Sequence, residues 1–219
     1  MKFDENVIDV LKNFSTLNPS IVVKEGNKLE TISTSKAILA EAMVPIVFEK
    51  RFAIYNLPRF IQTISLFKDP DFTFENKYVK ISEGNKSVNY MYAEERTMEK
   101  YKVPENKPVM GNPDIEFDIT SQNLRDMEKA ISILGVPNFI FEGDGTNILL
   151  KADNVQNPTS DNYSLIVGQT DKVFRGIFDA SSLKMMKDDY KIHISNTGIS
   201  RFIGNKVSYF VVFDYKSKF

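Results

Sequence analysis

The feature that narrows the choice of fold most is a weak internal repeat, carried by hydrophobic pattern and punctuation more than by residue identity. Near the start, Val7, Val10, Phe14 and Leu17 mark one face of a period of about 3.6 residues, the signature of an amphipathic helix. Adding 117 to each number gives Leu124, Met127, Ile131 and Leu134, which repeat that face. The same shift carries Lys12 to Lys129 and the turn Glu25-Gly26-Asn27 to Glu142-Gly143-Asp144. A shift of 123 sets Ile54-Tyr55-Asn56-Leu57 on Ile177-Phe178-Asp179-Ala180, the extra residues belonging to a longer loop through Asn154-Val155-Gln156-Asn157-Pro158.

In both copies an expected strand ends at Asn56 or Asp179, whose side-chain oxygen can accept an orphan N–H from the first turn of a following helix. Pro58 falls in such a first turn, where its missing N–H costs nothing. Alternation in Tyr78-Val79-Lys80-Ile81-Ser82 and in Tyr190-Lys191-Ile192-His193-Ile194-Ser195 predicts antiparallel strands with one buried face. Each half therefore reads as helix, strands, second helix, strands. Between them, residues 94–113 begin charged and are then punctuated by Pro104, Pro108 and Pro113, which suits a crossing segment and not a sheet. The expected organisation is α+β, with domains at 1–93 and 114–219 joined by a linker at 94–113.

Composition removes several alternatives. Hydrophobic residues make up 42% and charged residues 26% of 219, ordinary globular proportions that argue against disorder. No stretch approaches the roughly 18 apolar residues of a spanning helix, and Met1-Lys2-Phe3-Asp4-Glu5-Asn6 lacks the apolar core of a signal peptide. The expectation is no membrane contact and a cytoplasmic location. Zero cysteines exclude disulfides and thiolate chemistry. With 28 basic against 29 acidic residues, contact with nucleic acid has to come from local placement and not bulk charge.

Catalytic and metal signatures are weak. His193, the only histidine, sits in an alternating strand with no Ser or Asp motif around it, which favours a structural role. Gly143-Asp144-Gly145-Thr146 and Gly84-Asn85-Lys86-Ser87 lack phosphate-loop spacing and read as hairpin turns. The pairs Glu94-Glu95 and Asp188-Asp189 read as solvated charge. No cofactor, metal or catalytic residue is assigned.

Leu11-Lys12-Asn13-Phe14 with Thr16 and Asn18, Ala53-Ile54-Tyr55 with Leu57, Phe60, Ser65 and Leu66, Asn106-Lys107-Pro108, and Lys184 after Leu183 resemble the sliding clamps of T-even-type bacteriophages. The resemblance implies two similar DNA-clamp domains, each with antiparallel sheets and two helices, assembling into a homotrimeric ring with helices lining the hole. It implies a non-catalytic processivity factor that encircles double-stranded DNA without reading sequence. The implied partners are the replicative DNA polymerase, an ATP-dependent clamp loader and late-transcription factors, all in the host cell cytoplasm.

Helical geometry bears on the implied DNA-facing surface. At about 100° per residue, Lys12 and Lys129 lie opposite the apolar stripes of their helices. Arg59 and Arg125 fall on polar faces, and Lys184 and Lys187 lie near a short expected helix from Ser181 to Lys187. Each of these cations also reads as part of an ordinary solvated face. Glu5, Asp9 and Asp126 share those faces, so the lining is of mixed sign and neutralises few phosphates, leaving retention to ring closure and not affinity.

The family places its partner-peptide site near the linker, which nominates Val103, Pro104, Val109 and Met110 with Phe210 and Val212. Ordinary interdomain packing is the competing reading. By position in related clamps, the edge strands of a trimer interface are Val88–Tyr92 (Val88, Tyr90, Tyr92) and Tyr163–Val167 (Tyr163, Leu165, Val167). Two other classes stay open on the residues alone: a self-associating viral structural or assembly protein, and an enzyme with a carboxylate site between domains.

Overall fold

A computed structural model describes residues 1–107 and 110–219. The chain forms two compact units, Met1–Lys107 and Pro108–Phe219. The first contains α1 (Glu5–Leu17), β1 (Ile21–Val23), β2 (Gly26–Ile32), β3 (Ile38–Phe48), β4 (Phe52–Ile54), α2 (Leu57–Ile64), β5 (Asp71–Phe74), β6 (Tyr78–Glu83) and β7 (Lys86–Met91), followed by a 3-10 helix at Glu95–Tyr101. The second contains β8 (Ile115–Ile119), α3 (Ser121–Leu134), β9 (Asn138–Asp144), β10 (Asn147–Asp153), β11 (Tyr163–Gln169), β12 (Val173–Asp179), a 3-10 helix at Ala180–Leu183, β13 (Tyr190–Ser195), β14 (Ile199–Ile203) and β15 (Ser208–Val212).

Local chemistry sets the helix limits. Asp4 caps α1 by accepting the Val7 N–H at 2.8 Å. Val7, Val10, Leu11, Phe14 and Leu17 then pack inward. The helix stops at Asn18, whose buried side chain donates to the Ile32 carbonyl at 2.9 Å and accepts the Ser20 N–H at 2.9 Å. Asn56 caps α2 through the Arg59 N–H at 2.9 Å. In α3 the Thr120 and Asn123 side chains cap reciprocally, and Gly135 closes the helix at φ +63°, a left-handed position that glycine takes without a Cβ penalty.

Both units share one strand plan. In unit 1, β1 pairs with β4, β2 with β3, and β5, β6 and β7 form a meander. In unit 2, one sheet runs β11, β10, β9, β12 and the other joins β8, β13, β14 and β15, all antiparallel. The counterpart of β8 in unit 1 is a single pairing, in which the Phe72 N–H donates to the Met1 carbonyl at 2.7 Å. Phe3 stacks on Phe72 with centroids 4.0 Å apart, and Phe139 on Phe178 at 4.8 Å, so aromatic pairs sit among the aliphatic residues of each core.

Two local expectations are corrected. Along α3, the buried residues are Leu124, Met127 and Ala130, while Ile131 and Leu134 are only half covered and Ile133 is 71% exposed. The expected helix over Ser181–Lys187 is only the 3-10 turn Ala180–Leu183. The cause is tertiary: the Tyr209 hydroxyl accepts the Met186 N–H at 3.0 Å and the Tyr190 hydroxyl donates to the Met186 carbonyl at 2.7 Å. Both backbone groups that a longer helix would use are held by buried side chains.

Candidate DNA-facing and docking surfaces

Lys12 projects from the exposed face of α1, its ammonium 3.5 Å from the Asp9 carboxylate one turn earlier. Arg59 is exposed in the first turn of α2. On α3, Arg125 is exposed and donates to the Gln122 amide oxygen at 2.9 Å, Gln122 in turn donates to Asp126 at 2.8 Å, and Lys129 is exposed one turn further on. Lys184 is exposed just after the 3-10 turn, and Lys187 is ion-paired with Glu128 of α3. The face of α3 thus alternates cation, amide and carboxylate, suiting weak contact with a polyanion more than a grip on it.

The strands nominated as edges are outer strands of their sheets. β7 is the last strand of the β5, β6, β7 meander, and β11 is the outer strand beside β10. On β7, Val88 and Tyr90 turn toward their own unit, as does Tyr92 just beyond the strand: the Tyr90 ring meets Phe60 at 5.0 Å, its hydroxyl donates to the Asn56 carbonyl at 2.9 Å, and Tyr92 stacks on Phe52 at 5.1 Å. Burial raises the Tyr92 phenol to about 12. Met91 faces the other way and is 59% exposed. On β11, Leu165 and Val167 are half-buried, Tyr163 borders a groove with Lys129 and Ile133, and Ile166 is 62% exposed. Met91, Ile133 and Ile166 were not singled out in the sequence. The fifth apolar residue late in α3 was the available signal for Ile133.

Val103 and Pro104 line a cleft of about 480 Å³ in unit 1 with Ile21, Val22, Lys24 and Arg51. Arg51 forks onto Glu95 at 2.6 and 2.7 Å, and this contact holds the Glu95 carboxyl below its ordinary range. At the cleft wall formed by Glu30, Lys107 bonds both Glu30 and, at 2.7 Å, Glu41, while Lys28 reaches each at 2.9 Å. Burial pushes the Glu30 carboxyl upward, but Lys107 and then Lys28 outweigh it and hold Glu30 at about 2. Lys107 therefore fastens the linker to the β2–β3 hairpin.

In unit 2, Phe210 lies half-buried beneath the Arg201 guanidinium, 5.1 Å from its centroid, and Val212 is exposed on the same strand. The cross-strand row continues to His193 and Glu116, whose Nε2 and Oε2 are 3.4 Å apart, a place in the sheet and not in a triad. Met110 is half-buried, and Val109 lies outside the described residues.

Two β-rich units of one topology, each presenting a capped helix and an open sheet edge, define the DNA-clamp fold. A structure of A. fulgidus PCNA carrying the C-terminal region of FEN-1 matches it with a TM-score of 0.70 over 96% of both chains, at 12% identity. The model described as "DNA polymerase processivity factor" matches residues 3–98, and that described as "gp45 sliding clamp, C terminal" matches 116–214. The sliding clamp of Vibrio phage KVP40 is 28% identical over 216 residues, covering 96% of this chain and 98% of that protein. The sliding clamp of Enterobacteria phage T4 is 25% identical over 228 residues, covering 99% and 98%. The chain belongs to the sliding-clamp, or DNA polymerase processivity factor, family of T-even-type bacteriophages.

Proposed function

We propose that three copies close head to tail into a ring that encircles duplex DNA and tethers the replicative polymerase, without catalysis. The observation that carries this reading is the pair of unlike open edges, β7 in one unit and β11 in the other. A chain with two different free edges joins through heterologous contacts, and such contacts generate rings when the rotation closes. Val88, Tyr90 and Tyr92 brace one edge, and Tyr163, Leu165 and Val167 the other. Lys12, Arg59, Arg125, Lys129 and Lys184 face the duplex, with Lys187 contributing less because Glu128 engages it.

The polymerase docks a short apolar segment in the Val103–Pro104 cleft of unit 1; of the other residues nominated for this site, Met110, Phe210 and Val212 belong to unit 2 and Val109 lies outside the described residues. The FEN-1 segment carried by A. fulgidus PCNA supports peptide docking as a habit of this fold. An ATP-dependent clamp loader and late-transcription factors are further users of the ring, which works in the host cell cytoplasm. Among the described residues, no helix is long and apolar enough to cross a membrane.

The test separates encirclement from groove binding. Rings loaded on closed circular DNA are divided, half the DNA is linearised, and retention is compared by gel filtration at moderate salt. Rings should stay on circles and escape from cut DNA, and equal retention on both would refute the reading. Lys12→Glu with Lys129→Glu should leave the fold within about 0.5 kcal/mol, as surface changes usually do, yet reduce loading and processive synthesis.

A further inference from the structure

The duplication provides an internal control for a surface outside the DNA-facing, edge and linker sites proposed above. In unit 1 the segment after β7 crosses to the open side of β4 and seals it: the Ala93 N–H donates to the Ala53 carbonyl at 2.9 Å, Tyr92 stacks on Phe52, and Met98 in the 3-10 helix is fully buried. In unit 2 the segment after β15 makes the same crossing to β12. The Asp214 N–H donates to the Ile177 carbonyl at 2.8 Å, and Arg175 and Lys218 exchange backbone bonds at 2.8 and 2.9 Å. Here the seal is incomplete. Phe219 lies parallel to Phe174 with centroids 6.3 Å apart and remains 45% exposed, and Val173 at the mouth is 75% exposed. A groove of about 690 Å³ stays open over Val173, Phe174, Ile177 and Phe219.

The groove's charge points to its occupant. Arg175, Lys216 and Lys218 line it, as do Glu142 and Asp144. Both carboxylates are already engaged: Glu142 accepts from Lys151 at 2.6 Å, and Asp144 accepts the Thr146 and Asn147 N–H groups at 2.8 and 2.7 Å. Arg175 is served poorly. Its nearest carboxylate oxygens, on Glu142 and Asp153, stand 3.6 Å away, and its buried Nε has no hydrogen-bond acceptor. The Arg175 side chain is nonetheless 41% exposed, which leaves its guanidinium open to an incoming carboxylate.

We propose that this groove along β12 is a second docking surface, which takes an extended segment of a partner protein carrying an acidic side chain beside an aromatic one. The acid meets Arg175, with Lys216 and Lys218 flanking it, and the ring packs on Phe174 and Phe219. Residues 214–218 already bond the β12 backbone at Arg175 and Ile177, so the segment is held by the side chains that line the groove.

The probe is a fluorescein-labelled hexapeptide of alternating aspartate and phenylalanine, with lysine in place of aspartate as the control, titrated into the full-length protein by anisotropy. The acidic peptide should saturate and the basic one should not. Arg175→Gln should weaken binding about tenfold, the effect of one charge-assisted hydrogen bond. Val173→Asp, at an exposed position that tolerates the change, should abolish binding by repelling the acid, with circular dichroism unchanged. Val103→Asp in the linker cleft should leave it intact, which separates this groove from the proposed polymerase site. Equal binding of both peptides, or loss through Val103→Asp alone, would overturn the proposal. So would concentration-dependent association of the protein with itself that Val173→Asp relieves, because a second copy would then be the occupant.

Discussion

Replacing Lys107 by methionine keeps the length of the side chain and removes its charge from the cluster with Glu30 and Glu41. The Glu30 side chain is only 9% exposed, so its ion pairs are weakly screened. Lowering its carboxyl from 4.5 to about 2 corresponds to roughly 3 kcal/mol of stabilisation of the charged form. Lys107 leads the contacts that lower it and Lys28 follows, so the variant should lose roughly 1–2 kcal/mol at neutral pH. Because the folded-state value is depressed, the stabilisation is complete above pH 4.5 and disappears as pH falls through about 2. The wild type should therefore lose stability across that window more steeply than the variant. Urea unfolding from pH 6 to pH 2 at fixed chain concentration measures the difference, and hydrogen exchange should rise at residues 102–107. Parallel acid curves together with unchanged exchange there would refute the assignment of Lys107 as the linker fastening.

Three further outcomes test other contacts. Tyr209→Phe leaves the Met186 N–H without its acceptor and should cost about 1–3 kcal/mol, with faster exchange at residues 184–189 and Lys187 released from Glu128. Met98→Ala empties a fully buried site beside β4 and should cost about 2–5 kcal/mol in urea titrations, whereas Phe219→Ala, at a half-exposed position, should cost visibly less. Met91→Asp and Ile166→Asp change exposed residues on the two open edges, so each chain should stay folded by circular dichroism. Either should nonetheless reduce the assembled mass in light scattering, because charge on a strand edge opposes edge-to-edge pairing.

Much of this architecture is a matter of local chemistry, and the sequence alone carried it. The stripe of α1, the caps at Asn56 and Asp179 and the strand at Tyr190–Ser195 depend on neighbours within a few residues, so periodicity and capping rules reach them. The duplication was legible for the same reason, since each copy repeats a local pattern. Resemblance supplied the clamp family, and the edge position of β7 and β11 agrees with the strand order.

Contacts across long stretches of chain were not legible. Ala130 turns inward where Ile131 fitted the stripe better, because the neighbours of α3 decide which side is covered. The helix after Asp179 ends after one turn because Tyr209, 23 residues beyond Met186, takes its N–H. Lys107 reaches carboxylates 77 and 66 residues away, and no spacing rule links them. The half-filled groove on β12 exists because residues 214–219 return to a strand some forty positions earlier, as the 40-residue separation of Ile177 and Ser217 records. Sequence fixes what each segment can form by itself; the tertiary structure decides which polar groups find partners and which apolar faces stay open, because burial is a property of the whole assembly of segments.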